Sequence, residues 1–251
     1  MKIALFSDIH GNAISLDAVL SDIATNGGVD ATWILGDLVA IGYDPVGVLE
    51  RLTRLPNARF VRGNTDRYVF AGDRPFPSIE EAAADPTLLP VLVEVAETMA
   101  WTHGALTVNG WVEWLAQLPL EIEMTLPDGT RLLGVHASPG RDDGDGIAPF
   151  MDDATIAAAM QGCEAQLICV GHTHYPVNRR VDKWHVVNLG SLSNPQMSES
   201  DLRASYVLLT ADEAGYTVEH RRVDYDRGAV IAALEQQQHP GGAYIIHHLR
   251  R

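Results

Sequence analysis

A chain of 251 residues with 18 Lys and Arg against 33 Asp and Glu carries a formal net charge of −15, with 46% of residues apolar and 20% charged. That balance excludes disorder as a description of the whole chain, which requires low hydrophobicity beside high charge, and the length suffices to bury a core without disulfide or metal staples. The acidic excess argues against a protein that grips a long nucleic-acid backbone, since such binding needs a basic face; a small anionic substrate stays open.

In chain order, residues 3–6 form a first apolar run, and Leu16, Val19, Leu20 and Ile23 follow at helical spacing behind a candidate cap at Asn12. A second strand is expected over 31–35. Asp44-Pro45 opens a second helix as a cap followed by proline at the first helical position, and 59–62 read as a third strand. This βαβαβ opening predicts an α/β protein with a mainly parallel sheet. Residues 72–86, with Pro75, Pro77, Pro86 and Glu80-Glu81, read as an irregular excursion. Helices follow over 88–103 and 108–118, whose Trp101, Trp111 and Trp114 read as packing of an insertion on the main body rather than as a substrate lid. Pro127-Asp128-Gly129-Thr130 marks a hairpin turn between strands at 120–126 and 131–135. A helix near 153–161 and a strand at 166–170 come next, then strands near 185–189, 205–210 and 216–223. A final helix starts near Asp226 and stops before Pro240-Gly241-Gly242, leaving Arg250-Arg251 as a tail. With no linker or repeat, residues 1–251 are expected to form a single domain with a mostly helical insertion at about 72–118.

Cys169 lies in the apolar run Leu167-Ile168-Cys169-Val170, a buried strand, and Cys163 in a loop, which reads as two structural rather than reactive thiols in a reducing compartment. No stretch approaches the roughly 18 consecutive apolar residues of a membrane span. Asp8 and His10 interrupt the N-terminal run before a signal-peptide core forms. A cytoplasmic protein without a membrane partner is expected.

The informative polar residues stand directly after strands: Ser7-Asp8-Ile9-His10, Gly36-Asp37, Gly63-Asn64-Thr65-Asp66, His136 and Gly171-His172-Thr173-His174. Sites in open α/β sheets gather outside the carboxyl ends of the strands. Five strand ends would therefore deliver two carboxylates, four imidazoles and an amide to one volume. Such a donor set suits Mn, Fe or Zn and is too rich in nitrogen for Ca²⁺ or Mg²⁺. Seven ligands exceed the needs of one ion, so two ions sharing a carboxylate are expected, as in hydrolytic phosphoryl chemistry.

The ordered set Asp8-x-His10, Gly36-Asp37, Gly63-Asn64-x-Asp66, Val135-His136 and Gly171-His172-x-His174 resembles the calcineurin-like metallophosphoesterase superfamily, more narrowly its small bacterial and archaeal YfcE-like phosphoesterases. The resemblance runs from Asp8 to Asn188-Leu189-Gly190-Ser191. It implies a four-layer α-β-β-α sandwich of two mixed sheets with a helical insertion. It also implies that Asp8, His10 and His174 hold one divalent ion and Asn64, His136 and His172 the other, with Asp37 bridging them. A hydroxide between the ions would be the nucleophile, Asn64 would also touch a phosphate oxygen, and manganese would be preferred over iron or zinc. Asp37 and Asn64 are thus the implied catalytic pair.

One departure matters. Thr65 stands where many relatives place a histidine that protonates the leaving group, and a hydroxyl is a poor general acid. Without an acid worth roughly 10²–10⁴-fold, small phosphodiesters or phosphoanhydrides with good leaving groups are the expected substrates, nucleotides among them. The alternatives are a phosphomonoesterase, protein phosphatases included, or a noncatalytic scaffold of the same fold; the complete ligand set speaks against the scaffold. A nuclease is disfavoured by the acidic charge and the missing histidine. His103 reads as a surface histidine rather than a replacement acid, and His185, His220, His239, His247 and His248 as solvated or structural. Arg67 and Arg141 read as surface cations before phosphate ligands, and Asp142, Asp143 and Asp145 as a flexible acidic loop lacking the rest of a calcium-loop pattern.

Overall fold

The computed structural model describes residues 1–73, 77–193 and 201–250; Pro75 and Arg251 lie outside the described residues. The first part of the chain lays down β1 (Lys2–Phe6), α1 (Ala13–Thr25), β2 (Ala31–Leu35), α2 (Pro45–Leu52), β3 (Ala58–Val61) and α3 (Asn64–Ala71). As the alternation predicts, β1 pairs parallel with β2, and β2 with β3. The caps sit where the sequence puts them. Asn12 Oδ1 accepts from the Ser15 amide at 3.1 Å, and Asp44 Oδ1 from the Gly47 amide at 2.9 Å, with Pro45 beginning the helix.

The insertion contains α4 (Ile79–Ala84), α5 (Leu89–Val108) and α6 (Val112–Ala116). Helix α4 corrects the irregular excursion. The prolines mask a capping box in which Ser78 Oγ accepts from the Glu81 amide and Glu81 Oε2 from the Ser78 amide. The second sheet then forms from β4 (Glu121–Thr125), β5 (Arg131–Val135), β6 (Leu167–Val170), β7 (Val177–Val181) and β8 (Trp184–Asn188), with α7 (Asp153–Ala159) between β5 and β6. The chain returns through β9 (Ala204–Asp212) and β10 (Gly215–Val223) and ends in α8 (Arg227–Gln236) and α9 (Gly242–Leu249).

The strand orders are β10-β9-β1-β2-β3 and β4-β5-β6-β8-β7. Each sheet is mixed: β9 runs antiparallel to β1 and β10, β4 to β5, and β7 to β8. Alternate residues of a strand face opposite sides, and the burial follows. Ile3 and Leu5 join Trp33, Leu35, Leu132 and Cys169 in the core between the sheets. Ala4, Phe6 and Ile34 face the helices outside the first sheet, and Leu133, Val135 and Ile168 pack with Ile156 of α7 outside the second. Central strands buried on both faces read as continuous apolar runs, which is why the sequence shows them plainly. The result is the four-layer α/β sandwich of two mixed sheets.

Besides α4, three elements lie outside the expected order: α3, which starts inside the Gly63-Asn64-Thr65-Asp66 motif, β7 and α9. Strand β7 is an edge strand reading VNRRV, whose Asn178 and Arg180 are exposed, so its apolar content falls below a strand signal. Helix α9 follows Pro240-Gly241, read as a terminator, although it begins at Gly242 and buries Leu249. The tryptophans pack as expected: Trp114 meets Phe60 edge-on at 5.3 Å, Trp111 meets Trp114 at 5.7 Å, and Trp101 meets His239 at 4.5 Å between ring centroids.

Candidate metal centre

The seven candidate ligands follow β1, β2, β3, β5 and β6, all central or parallel strands whose carboxyl ends converge. The loops are tied directly: the Asp8 amide donates to the Gly36 carbonyl at 3.0 Å, and the Gly171 amide to the His136 carbonyl at 2.8 Å. Five of the seven hold left-handed backbone: Asp8 (φ 56°), His10 (48°), Asp37 (55°), His172 (69°) and His174 (63°). Such conformations, at a cost of about 1–3 kcal/mol each, persist where surrounding structure over-determines them and cluster at functional sites. The adjacent glycines are required by contact: a Cβ on Gly63 would overlap Asp37 Oδ1, and one on Gly171 would overlap Ser7 Oγ.

Backbone carbonyls fix the imidazoles. Because a carbonyl only accepts, His10 Nδ1 donates to Ala40 at 3.2 Å, His136 Nδ1 to Leu35 at 2.7 Å and His172 Nε2 to Gly144 at 2.7 Å. The remaining nitrogen of each ring faces the centre, the arrangement that prepares metal-ligating histidines. His10 Nε2 lies 3.2 Å from His174 Nε2 and 3.7 Å from Asp37 Oδ2. Asn64 Oδ1 lies 3.1 Å from His136 Nε2 and 3.0 Å from His172 Nδ1. Asp37 Oδ1 stands 3.4 Å from His136 Nε2. Asp8 Oδ2 accepts from Ser7 Oγ at 2.6 Å and the His172 amide at 3.1 Å, while Asp8 Oδ1 is buried without a hydrogen-bond partner, 3.2 Å from His174 Nε2.

Ring nitrogens crowded against one another and against amide and carboxylate oxygens demand positive charge there, as a proton or a cation. The electrostatics express the same demand. Burial opposes ionisation of Asp37 and Asp8, yet the neighbouring imidazoles, His136 and His174 foremost, hold both carboxyls below their ordinary range. Burial pushes His136 down, but the Asp37 carboxylate outweighs it and lifts the imidazole to about 10. Burial likewise keeps His10 below its usual value, suited to act as a neutral ligand. Asp8, His10 and His174 form one group with donor atoms close enough to hold an ion, and Asp8, Asp37 and His136 form another. The residues present therefore fit divalent metal.

Several positioning residues carried no role in the sequence reading although their motifs were visible. Asp66 is fully buried; its carboxylate accepts the Leu38 and Gly63 amides, each at 2.9 Å. Asn188 Nδ2 donates to the Gly171 carbonyl at 2.7 Å and to Thr173 Oγ1 at 2.9 Å, holding the His172–His174 loop. Ser191 Oγ donates to the Asp8 carbonyl at 2.9 Å.

Other candidates separate cleanly. Arg67 is engaged by Asp73, Asp142 and Asp143, and Arg141 is exposed. Asp142 corrects the flexible acidic loop, being buried and paired with Arg62 at 2.9 Å as well as with Arg67. His103 donates from Nδ1 to the Val69 carbonyl at 2.8 Å and lines a different cavity. His185, His220 and His239 bond within the fold. His248 lines the same open cavity of about 320 Å³ as His10, Asp37, Asn64 and His174, brought there by α9.

Residues 1–214 match the calcineurin-like phosphoesterase superfamily domain. An uncharacterised protein of Methanocaldococcus jannaschii is 30% identical over 241 residues, covering 89% of this chain and 88% of that protein. A symmetrical bis(5'-nucleosyl)-tetraphosphatase of Pectobacterium carotovorum is 39% identical over 174 residues, 66% of this chain; the chain spans 51% of that relative's length. Among solved structures, a metallophosphoesterase of Sphaerobacter thermophilus superposes with a TM-score of 0.72 at 24% identity, covering 100% of this chain and 98% of its own. A hypothetical protein of Pyrococcus horikoshii gives 0.79 at 23% identity, over 99% and 97%. Among the described residues, no helix is long and apolar enough to cross a membrane.

Proposed function

We propose, from the premise that the chain belongs to the calcineurin-like phosphoesterase superfamily, that it hydrolyses small phosphodiesters or phosphoanhydrides using two divalent transition-metal ions, manganese foremost. The observation that carries this reading is Asp37. Its Oδ2 stands 3.7 Å from His10 Nε2 and its Oδ1 3.4 Å from His136 Nε2, so one buried carboxylate faces two ligand sets. Asp8, His10 and His174 would hold one ion, Asn64, His136 and His172 the other, with Asp37 shared.

Ions bound there supply Lewis acidity, bringing the pKa of a water toward about 7 and offsetting phosphate charge. The chain does the rest. The Ala40, Leu35 and Gly144 carbonyls hold His10, His136 and His172 in the tautomers that leave ligating lone pairs free. The Thr65 amide, donating to Asp37 Oδ1 at 3.0 Å, fixes the shared carboxylate. Asn64 offers its amide Nδ2 to a phosphate oxygen. The apolar residues of the insertion and of α9, Met99, Leu106, Leu115 and Leu249, join the same core as Phe6 and Leu16, which supports treating 1–251 as one domain. Two free buried cysteines fit a reducing, cytoplasmic setting.

Metal analysis of protein purified without chelator, beside hydrolysis of bis-aryl phosphate and dinucleoside tetraphosphate with added Mn²⁺, tests the reading. Close to two equivalents of metal and turnover of either substrate are expected. Less than one equivalent, unrecovered on Mn²⁺ addition, with no turnover would refute it.

A further inference from the structure

Of the three imidazoles fixed by carbonyls, His172 alone makes that bond in solvent: the His10 and His136 bonds are buried, whereas the one from His172 Nε2 to Gly144 is exposed. Water competes for an exposed hydrogen bond, so this one steers the ring only if the carbonyl itself is held still. An ion cluster holds it. Asp142, 7% exposed, takes Arg62 Nε at 2.9 Å and Arg67 Nε at 3.2 Å. Asp143 takes Arg67 Nη2 at 2.9 Å and accepts from the Tyr68 hydroxyl at 2.6 Å, while its other oxygen accepts the Gly144 amide at 2.8 Å. The loop then turns through left-handed backbone at Gly144 (φ 106°) and Gly146 (φ 59°). It meets the ring a second time there, since a Cβ on Gly146 would lie 2.8 Å from His172 Cδ2. Arg67 and Tyr68 stand one turn after Asn64 on α3, and Asn64 Oδ1 is 3.0 Å from His172 Nδ1. The helix that presents Asn64 thus also holds the acceptor that orients His172.

We propose that Arg67 is a positioning residue for His172: by clamping Asp142 and Asp143 it fixes the Gly144 carbonyl, and through it the ring, at the separation from Asn64 that a shared ion needs. The proposal rests on the two-ion reading above and deepens it, because it assigns the clamp to one ion. Asp8 and His10 are held by Ser7 and Ala40 instead. A surface ion pair contributes little to stability, but Asp142 is buried, and a guanidinium forked across adjacent carboxylates is the directional case. Binding of substrate phosphate is the competing role for this arginine. All three of its guanidinium nitrogens are already engaged by carboxylates, those of Asp73, Asp142 and Asp143, so the geometry favours the clamp.

The test reads metal binding and the ring itself, without turnover. Arg67→Met removes the charge while Arg62 still pairs with Asp142; Arg67→Lys restores the charge without the fork; Tyr68→Phe deletes only the hydroxyl bond to Asp143. Mn²⁺ is titrated by calorimetry into each metal-free protein, and the His172 ring nitrogens are followed by ¹⁵N NMR before metal is added. The wild type should bind two ions and carry the His172 proton on Nε2. In Arg67→Met one dissociation constant should rise about tenfold, the lower end of the loss for an outer partner of a ligating histidine. The other constant should hold, and the ring proton should spread over both nitrogens. Arg67→Lys should recover part of the loss, and Tyr68→Phe should show a smaller loss at the same ion, which keeps the comparison open should Arg67→Met not fold. Unchanged constants, equal weakening of both ions, or a His172 proton on Nδ1 in the wild type overturns the proposal even if hydrolysis is intact. A wild type that binds no Mn²⁺, yet whose His172 tautomer depends on Arg67, would instead keep the positioning role and remove the two-ion reading.

Discussion

Asp66 and Leu38 are 28 residues apart, yet the carboxylate of one accepts the amide of the other at 2.9 Å. Leu38 follows Asp37, the proposed shared ligand, and the second carboxylate oxygen of Asp66 takes the Gly63 amide beside Asn64 at 2.9 Å. One buried side chain thus fastens the loops after β2 and β3 to each other.

Asp66→Ala would leave two buried amides without acceptors, at a cost of about 2–5 kcal/mol. Thermal unfolding should show the loss, and metal content should fall with it because Asp37 is no longer fixed. Asp66→Asn keeps a single acceptor and should fall between wild type and Ala on both readouts. An Ala variant with wild-type melting temperature and full metal occupancy would remove this role.

Metal should stabilise the fold, since it binds a site absent from the unfolded chain. Free Mn²⁺ at about 100 times its dissociation constant contributes about 2.7 kcal/mol, or roughly 5–11 °C in melting temperature for a chain of this size. Chelator should reverse the shift, and Asp37→Asn should abolish most of it together with hydrolysis. Identical melting curves with Mn²⁺ and with chelator would contradict the site.

Thr65 and His248 make opposite predictions for the leaving group. Thr65→His should raise turnover of alkyl phosphodiesters roughly tenfold more than that of nitrophenyl esters, because only the poor leaving group needs a proton. His248 donates from Nδ1 to the Tyr244 carbonyl at 2.9 Å and lines the cavity of the metal centre. His248→Asn should therefore slow alkyl substrates more than aryl ones. Equal effects on the two classes would exclude a proton-donating role for either position.

Burial holds His239 and His185 at about 4, below the ordinary histidine value of 6.5. A depressed histidine contributes stability that is complete above 6.5 and is lost as pH falls toward 4. Melting temperature should accordingly drop between pH 6.5 and 4.5, and His239→Leu should flatten that dependence. A variant as acid-sensitive as the wild type would assign the drop to other groups.

By itself the sequence determined the central strands and the candidate ligands that the fold brings together. Ile3, Leu5, Leu167 and Cys169 sit on strands buried on both faces, so local composition reveals them. Asp8, Asp37, Asn64 and His136 each lie within three residues of a strand's end, so chain order reveals where they gather. Tertiary structure decided what depends on distant partners. Edge strand β7 is held by pairing with β8 rather than by apolar content. Helix α9 forms after a glycine-rich stop because it packs on α8 and Leu249 joins the core outside the first sheet. The roles of Asp66 and Asn188, the placing of His248, and the ties from Arg67 to Asp142 and Asp143 all arise from contacts across many tens of residues. No short-range pattern encodes such contacts; only the packed layers bring them together.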